Sequence, residues 1–183
     1  MIARRKVCLT ENDDVILFIT EGLLPSVEFD VLVEAPAYCL LPKSHRLAGQ
    51  ASVSMAEIAT EPLVVLNRPV AAAYYRRLFD KQSQEFLIAA YASSTEMVRS
   101  LVSTGHGCAI LNMRPRTSVS YCGGAVIELP ISDPLPPLTL AVAYDKSRPR
   151  RLVQNFVEAC SRYFADGAAD RCIIEDVFED KAN

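Results

Sequence analysis

Ser93, Ser94 and Thr95 place three hydroxyls in a row directly ahead of Glu96 and an apolar stripe of helical spacing, Met97, Val98, Leu101 and Val102. Ser93-Ser94-Thr95-Glu96 fits a capping box. In that arrangement the Ser93 hydroxyl takes the backbone N–H three residues on, and the Glu96 carboxylate reaches back to the cap. A helix N-terminus presents unpaired N–H groups and a partial positive charge, so the same hydroxyls suit a carboxylate or another small anion. They equally suit plain capping, for which serine and threonine are preferred residues. Gly105 stands where a left-handed residue would end this helix. Cys108-Ala109-Ile110-Leu111 follows as an apolar run fit for a buried strand.

Two further positions offer binding chemistry. Asn67-Arg68-Pro69 comes directly after the apolar run Leu63–Leu66. In a parallel, doubly wound sheet this loop lies at the carboxyl end of a strand, beside the Ser93 turn. Arg68 could there pair bidentately with an anion, or it could be a solvated loop arginine. Thr20 ends the apolar run Val15–Ile19, at another strand end where a ligand or a simple turn would suit it. His45 lies alone in the polar loop Lys43-Ser44-His45-Arg46, with no sequence partner for acid–base work. The chain has no G-x-S-x-G elbow, no P-loop, no dinucleotide fingerprint and no metal-spaced set of His, Cys and Asp. The six cysteines are scattered without a C-x-x-C pair and read as free thiols, and no local basic cluster marks a low-pKa thiol except at Cys8 beside Lys6.

The elements that must position these groups follow from periodicity. Strands are expected at Val15–Ile19, Phe29–Glu34, Ala37–Pro42, Leu63–Leu66, Glu85–Tyr91, Ala125–Ile131 and Leu138–Tyr144. A short helix over Ser54–Ala59 carries its own capping box, Ser54 with Glu57. Ala71–Lys81 reads as an amphipathic helix with Tyr74, Tyr75, Leu78 and Phe79 facing the core. A last helix opens at Ser147-Arg148-Pro149, with Leu152, Val153, Phe156, Val157, Cys160 and Phe164 on its buried stripe, and Gly167 stops it. Residues 1–13 read as the remnant of a helix, and the acidic stretch from Asp170 as a short amphipathic turn or a frayed tail. The strand–helix alternation argues an α/β fold with mostly parallel sheets.

Composition narrows the function classes. Half of the 183 residues are hydrophobic and 22% are charged, enough for a sizeable core. A net charge of −3 and a pI near 5.5 argue against a nucleic-acid surface on these residues. No apolar run is long enough to span a membrane and no signal peptide is evident, so the cytoplasm is expected.

Several short motifs occur in a telling order: Pro42, His45, Leu47 and Ala48; Met55-Ala56-Glu57-Ile58; Pro62-Leu63-Val64-Val65-Leu66; then Val102 with Gly105 and Gly107. From about Asp14 to Phe164 the chain resembles the effector-binding domain of LysR-type transcriptional regulators. Arg46 replaces the proline usual in that family, and Asn112 stands where a proline often follows the last strand. The resemblance implies a two-lobed, type 2 periplasmic-binding-protein-like α/β fold with mostly parallel sheets flanked by helices. Lobe I would comprise residues 1–48 and 135–167, lobe II residues 49–134, and an acidic tail residues 168–183. Crossovers are expected near Arg46–Ala51 and Leu129–Leu138.

A small effector, a carboxylate foremost, would sit in the interlobe cleft against Thr20, Asn67, Arg68, Ser93, Ser94, Thr95 and Gly107. No cofactor, metal or catalytic residue is implied, and a homo-oligomer is. DNA would be contacted only through an N-terminal winged helix-turn-helix, which these residues do not supply. The first strand and helix of the effector domain are also expected to be missing ahead of Met1. Two alternatives remain: a stand-alone solute-binding protein of the same fold, and an enzyme on an α/β scaffold.

Overall fold

The computed structural model describes residues 15–20, 29–80, 85–145 and 150–168. The readings for residues 1–13, the turn at Glu21-Gly22, the helix start at Ser147-Arg148-Pro149 and the tail from Asp170 lie outside them, as do Cys8 and Cys172. Along the chain run β1 (Val15–Thr20), β2 (Asp30–Ala35), β3 (Tyr38–Pro42), α1 (Met55–Ala59), β4 (Leu63–Leu66), α2 (Pro69–Asp80), β5 (Ile88–Ala92), α3 (Thr95–Ser103), β6 (Ala109–Leu111), β7 (Val126–Pro130), β8 (Leu138–Tyr144) and α4 (Arg151–Tyr163). These elements fall into two compact units. One holds the described residues up to Ala35 and those from Leu138 to Ala168, and the other holds Pro36–Pro137. The exchanges therefore fall at Ala35–Pro36 and Pro137–Leu138, and β3 lies in the second unit because it pairs there with β6 and β7.

Strand direction differs from the mostly parallel expectation. In the first unit β8 lies between β1 and β2 and is antiparallel to both. In the second, β3 lies between β6 and β7 and is antiparallel to both. Among the described residues the parallel contacts are the β4–β5 ladder, an isolated bridge from Val53 to Ile131, and the bridge from Leu63 to Cys108, which carries β4 onto the start of β6. The second unit thus orders as β5-β4-β6-β3-β7, with four strands in one direction and β3 against them. The cause is connectivity. In each unit the strand that arrives directly from the other unit, β8 or β3, enters mid-sheet and runs backwards. The helical crossovers through α2 and α3 keep β4, β5 and β6 parallel.

Local sequence explains the helices. Ser54 caps α1 as expected: its hydroxyl accepts from the Glu57 N–H at 3.2 Å, and Glu57 accepts the Ser54 N–H at 2.8 Å. Asp133, from the stretch after β7, also takes the Met55 N–H at 2.7 Å. Pro69 is the first residue of α2, where its missing N–H costs nothing. Tyr74, Tyr75 and Leu78 of that helix are buried, as the aromatic spacing predicts. In the first unit Val153 and Val157 of α4 pack with Val142 of β8, flanked by Val15, Leu32 and Tyr144. Each valine buried in this way contributes about 1.5–2 kcal/mol. The expected α4 stripe is narrower than its spacing suggests, since Leu152 and Phe156 are exposed. Gly167, at φ 77°, lies past the end of α4, in the left-handed region where a side chain would be strained.

His45 has a structural task. Its Nδ1 accepts the Leu47 N–H at 3.3 Å, and its Nε2 lies 3.3 Å from Glu61 Oε2, which ties the turn after β3 to the end of α1. Arg46 joins the same carboxylate at 2.6 Å from Glu61 Oε1.

Candidate functional site

The parallel pair β4–β5 aligns Leu66 with Ala92, so the two chains leave the sheet together at its carboxyl edge. One hydrogen bond joins their exits: the Asn67 N–H donates to the Ala92 carbonyl at 2.8 Å. Arg68 follows, and its carbonyl accepts the Ala72 N–H at 2.7 Å, which makes Arg68 the residue that opens α2. On the neighbouring exit Ser94 adopts extended backbone (φ −141°, ψ 154°) and its hydroxyl accepts the Met97 N–H at 3.2 Å. Two helix N-termini therefore stand side by side above adjacent parallel strands. Asn67, Arg68, Ser93 and Ser94 are exposed there, and Thr95 is half-buried. Such an edge is where open α/β sheets collect ligands, and helix N-termini favour anions.

The helix cap falls one residue later than the Ser93 pattern predicts. Glu96 does not reach back to complete a box. Its Oε2 accepts from Arg99 Nε at 3.2 Å and its Oε1 from the Tyr121 N–H at 2.5 Å. The buried face of α3 is Val98, Arg99 and Val102, while Met97 is 48% exposed.

The structure does not bring Gly107 to this edge. It precedes β6, at the opposite end of the same parallel strands, with φ 141°. Its backbone passes so close to the Pro62 carbonyl that a side chain has no room, because the Cys108 N–H donates to that carbonyl at 2.8 Å. Thr20 ends β1 in the first unit, buried and in register with Thr139 of β8. Among the described residues no group of three His, Cys, Asp or Glu side chains is placed to hold a metal ion.

A model of the LysR substrate binding domain family matches residues 8–165. The chain belongs to this family. The HTH-type transcriptional regulator BudR of Raoultella terrigena is 24% identical to the LysR-family chain over 131 residues, 70% of this chain and 44% of BudR. The solved structure of HinK, a LysR family transcriptional regulator from Pseudomonas aeruginosa, matches with a TM-score of 0.73 and 28% identity, covering 83% of this chain and 53% of HinK. The chain spans about half the length of these regulators. The BenM effector binding domain with its effector benzoate superposes with a TM-score of 0.70, over 85% of this chain and 71% of that one; at 14% identity it shows the shared fold. These relatives support the two-lobed, periplasmic-binding-protein-like α/β architecture for the LysR-family domain. No helix among the described residues is long and apolar enough to cross a membrane.

Two features of this LysR-family domain escaped the sequence reading, Arg99 and Cys122, and a third, Asn112, entered it only as a departure from the family pattern. Asn112 follows β6 and so emerges at the same carboxyl edge as Asn67 and Ser93. It is buried, its Nδ2 donates to the Tyr74 hydroxyl at 3.1 Å, and that hydroxyl donates to the Pro136 carbonyl at 2.8 Å. Its place after a parallel apolar strand was the signal that could have found it. Arg99 is fully buried in α3. Besides Glu96 it reaches Glu128 Oε1 at 3.4 Å, the Val119 carbonyl at 3.2 Å and the Thr117 carbonyl. Nothing in the sequence marks it, because an arginine on a short helix usually points to solvent. Cys122 is exposed, and the Ser103 and Ser120 hydroxyls, 3.3 and 3.0 Å from its sulfur, lower its pKa to about 6. The sequence reading looked for basic neighbours and missed a thiol activated by hydroxyls.

Proposed function

We propose that this chain is the effector-sensing domain of a LysR-type transcriptional regulator and takes a small anionic metabolite, foremost a carboxylate. The observation that carries the reading is the Asn67–Ala92 hydrogen bond. It fixes the N-termini of α2 and α3 side by side at the carboxyl edge of β4 and β5. The contacts proposed at that edge are the Arg68 guanidinium, the hydroxyls of Ser93, Ser94 and Thr95, and Asn67. Thr20 is a further residue proposed to contact a ligand. Gly107 is left out, since packing against Pro62 accounts for it. Benzoate, the effector of the BenM domain, is a carboxylate and lends support to that ligand class. Ligand capture would shift the populations of the domain's conformations, and a DNA-binding domain outside these residues would read that shift out in the cytoplasm, within a homo-oligomer.

The test is a thermal-shift screen of the chain against small organic acids, benzoate among them, repeated on Thr95→Val and Arg68→Met. An acid present at a hundred times its Kd should add about 2.7 kcal/mol of stability to the native chain. Both substitutions should remove most of that gain while leaving the ligand-free transition in place. An acid whose stabilisation is untouched by both would place the site elsewhere.

A further inference from the structure

We infer that Arg99 is a positioning residue for the anion site: it draws the Glu96 carboxylate away from the N-terminus of α3 and cancels its charge, so that the site stays receptive to a negative ligand. This rests on the proposed anion site at that helix end. Glu96 is the second residue of α3, inside its first turn. A carboxylate in the first turn ordinarily accepts an N–H at the helix start or offsets the positive helix end, as Glu57, the third residue of α1, does by accepting the N–H of its cap Ser54 at 2.8 Å.

Glu96 does neither. One oxygen is taken by Arg99 Nε at 3.2 Å and the other by the Tyr121 N–H at 2.5 Å. The guanidinium is anchored from below by Glu128 Oε1 at 3.4 Å and by the carbonyls of Thr117 and Val119, and its side chain is 1% exposed, so it holds a fixed place. Glu128 is in turn held by the Ser118 hydroxyl at 3.2 Å and approached by Arg114 at 4.0 Å. The amides of Thr95 and Glu96 precede the intrahelical ladder and have no acceptor within the helix, so they are the donors a ligand would use. A carboxylate released next to them would compete for those donors and repel an incoming anion.

The experiment follows the Thr95 and Glu96 amide resonances of the 183-residue chain during a titration with inorganic sulfate. The variants are Glu96→Gln, the charge-balanced pair Arg99→Met/Glu128→Gln, and that pair combined with Glu96→Gln. The pair should bind sulfate about threefold or more weakly than the parent chain, and the added Glu96→Gln should restore the affinity. Glu96→Gln alone should not weaken it, because the carboxylate it removes takes no part in holding the anion and its loss leaves the Arg99 cation in place.

Equal affinity in the pair and the parent overturns the inference. So does a loss in the pair that Glu96→Gln fails to rescue, since that describes a mere strut. If circular dichroism shows the pair unfolded, Glu96→Gln alone decides, and a loss above about twofold overturns the inference. No saturable shift at the two amides in the parent chain would instead overturn the anion site itself, a result distinguishable from the others.

Discussion

Gly107 and Pro62 approach so closely that a Cβ on the glycine would lie 2.8 Å from the Pro62 carbonyl carbon. The contact comes from the parallel bridge at the start of β4 and β6. The Cys108 N–H donates to Pro62 and the Val64 N–H donates to the Cys108 carbonyl, both at 2.8 Å. Backbone, not a flexible side chain, occupies the space, so nothing nearby can yield cheaply. The φ of 141° adds strain for any L-residue. Gly107→Ala should therefore destabilise the chain by about 3 kcal/mol, read as a fall in denaturation midpoint at unchanged m-value. Gly105→Ala is the contrast. Its φ of 85° is also positive, but nothing lies within contact of a Cβ there, so about 1 kcal/mol is expected.

Tyr74 sits at a junction of three segments. Its hydroxyl accepts from Asn112 after β6 and donates to Pro136 in the connection between β7 and β8, while its ring packs in α2. Burial raises its pKa, so the phenol stays neutral and keeps both bonds across the physiological range. Tyr74→Phe keeps the ring and should cost about 1–2 kcal/mol, the usual loss for a buried hydroxyl with good partners. Urea denaturation of the two chains measures it. A cost near zero would mean that the Pro136 carbonyl finds another donor.

What the sequence revealed and what it hid divide along a physical line. The runs Leu63–Leu66 and Leu138–Tyr144 match their strands at both ends, because a run of branched apolar residues between breakers has one favourable state. The Ser54–Glu57 box was legible for the same reason: both partners lie within four residues. Strand direction was not, since it depends on where β3 and β8 enter their sheets, and no local pattern records that. The Asn67 and Ser93 loops were placed side by side because a parallel order implied it. Glu96 misled, as its choice between the helix cap and a guanidinium is settled by Arg99 and by Tyr121, which lies 25 residues away.

Arg99 itself should be costly to remove outright. Arg99→Ala leaves the Glu96 and Glu128 carboxylates, the latter 7% exposed, without the cation that faces both. It also strips donors from the Thr117 and Val119 carbonyls. A loss of about 3–5 kcal/mol is expected, measured by chemical denaturation. Replacing the buried charges together, as Arg99→Met/Glu96→Gln/Glu128→Gln, should recover a large part of it, because the penalty lies in the uncompensated carboxylates. No recovery in the triple variant would assign the loss to the carbonyl contacts instead.

Cys122 offers a pH-dependent reporter. The Ser103 hydroxyl, then that of Ser120, then the Gly124 backbone and the Ser100 side chain favour the thiolate, and the thiol pKa falls to about 6 from its ordinary 9.0. The thiolate is the reactive form. Iodoacetamide should thus alkylate Cys122 of the folded chain with a rate that rises through about pH 6 and is flat by pH 8. Cys39, whose hydrogen bond with Cys108 and burial both raise its pKa, should react only on unfolding. Cys122→Ser should abolish the fast phase, and Ser103→Ala should move its midpoint upward, toward that of an ordinary thiol. The sign for stability follows from the same shift. A folded-state pKa below the unfolded value contributes stability above the unfolded pKa, and that contribution is lost as pH falls through about 6. A fast phase with a midpoint near that of an ordinary thiol in the parent chain would show that the serine hydroxyls do not donate to this sulfur.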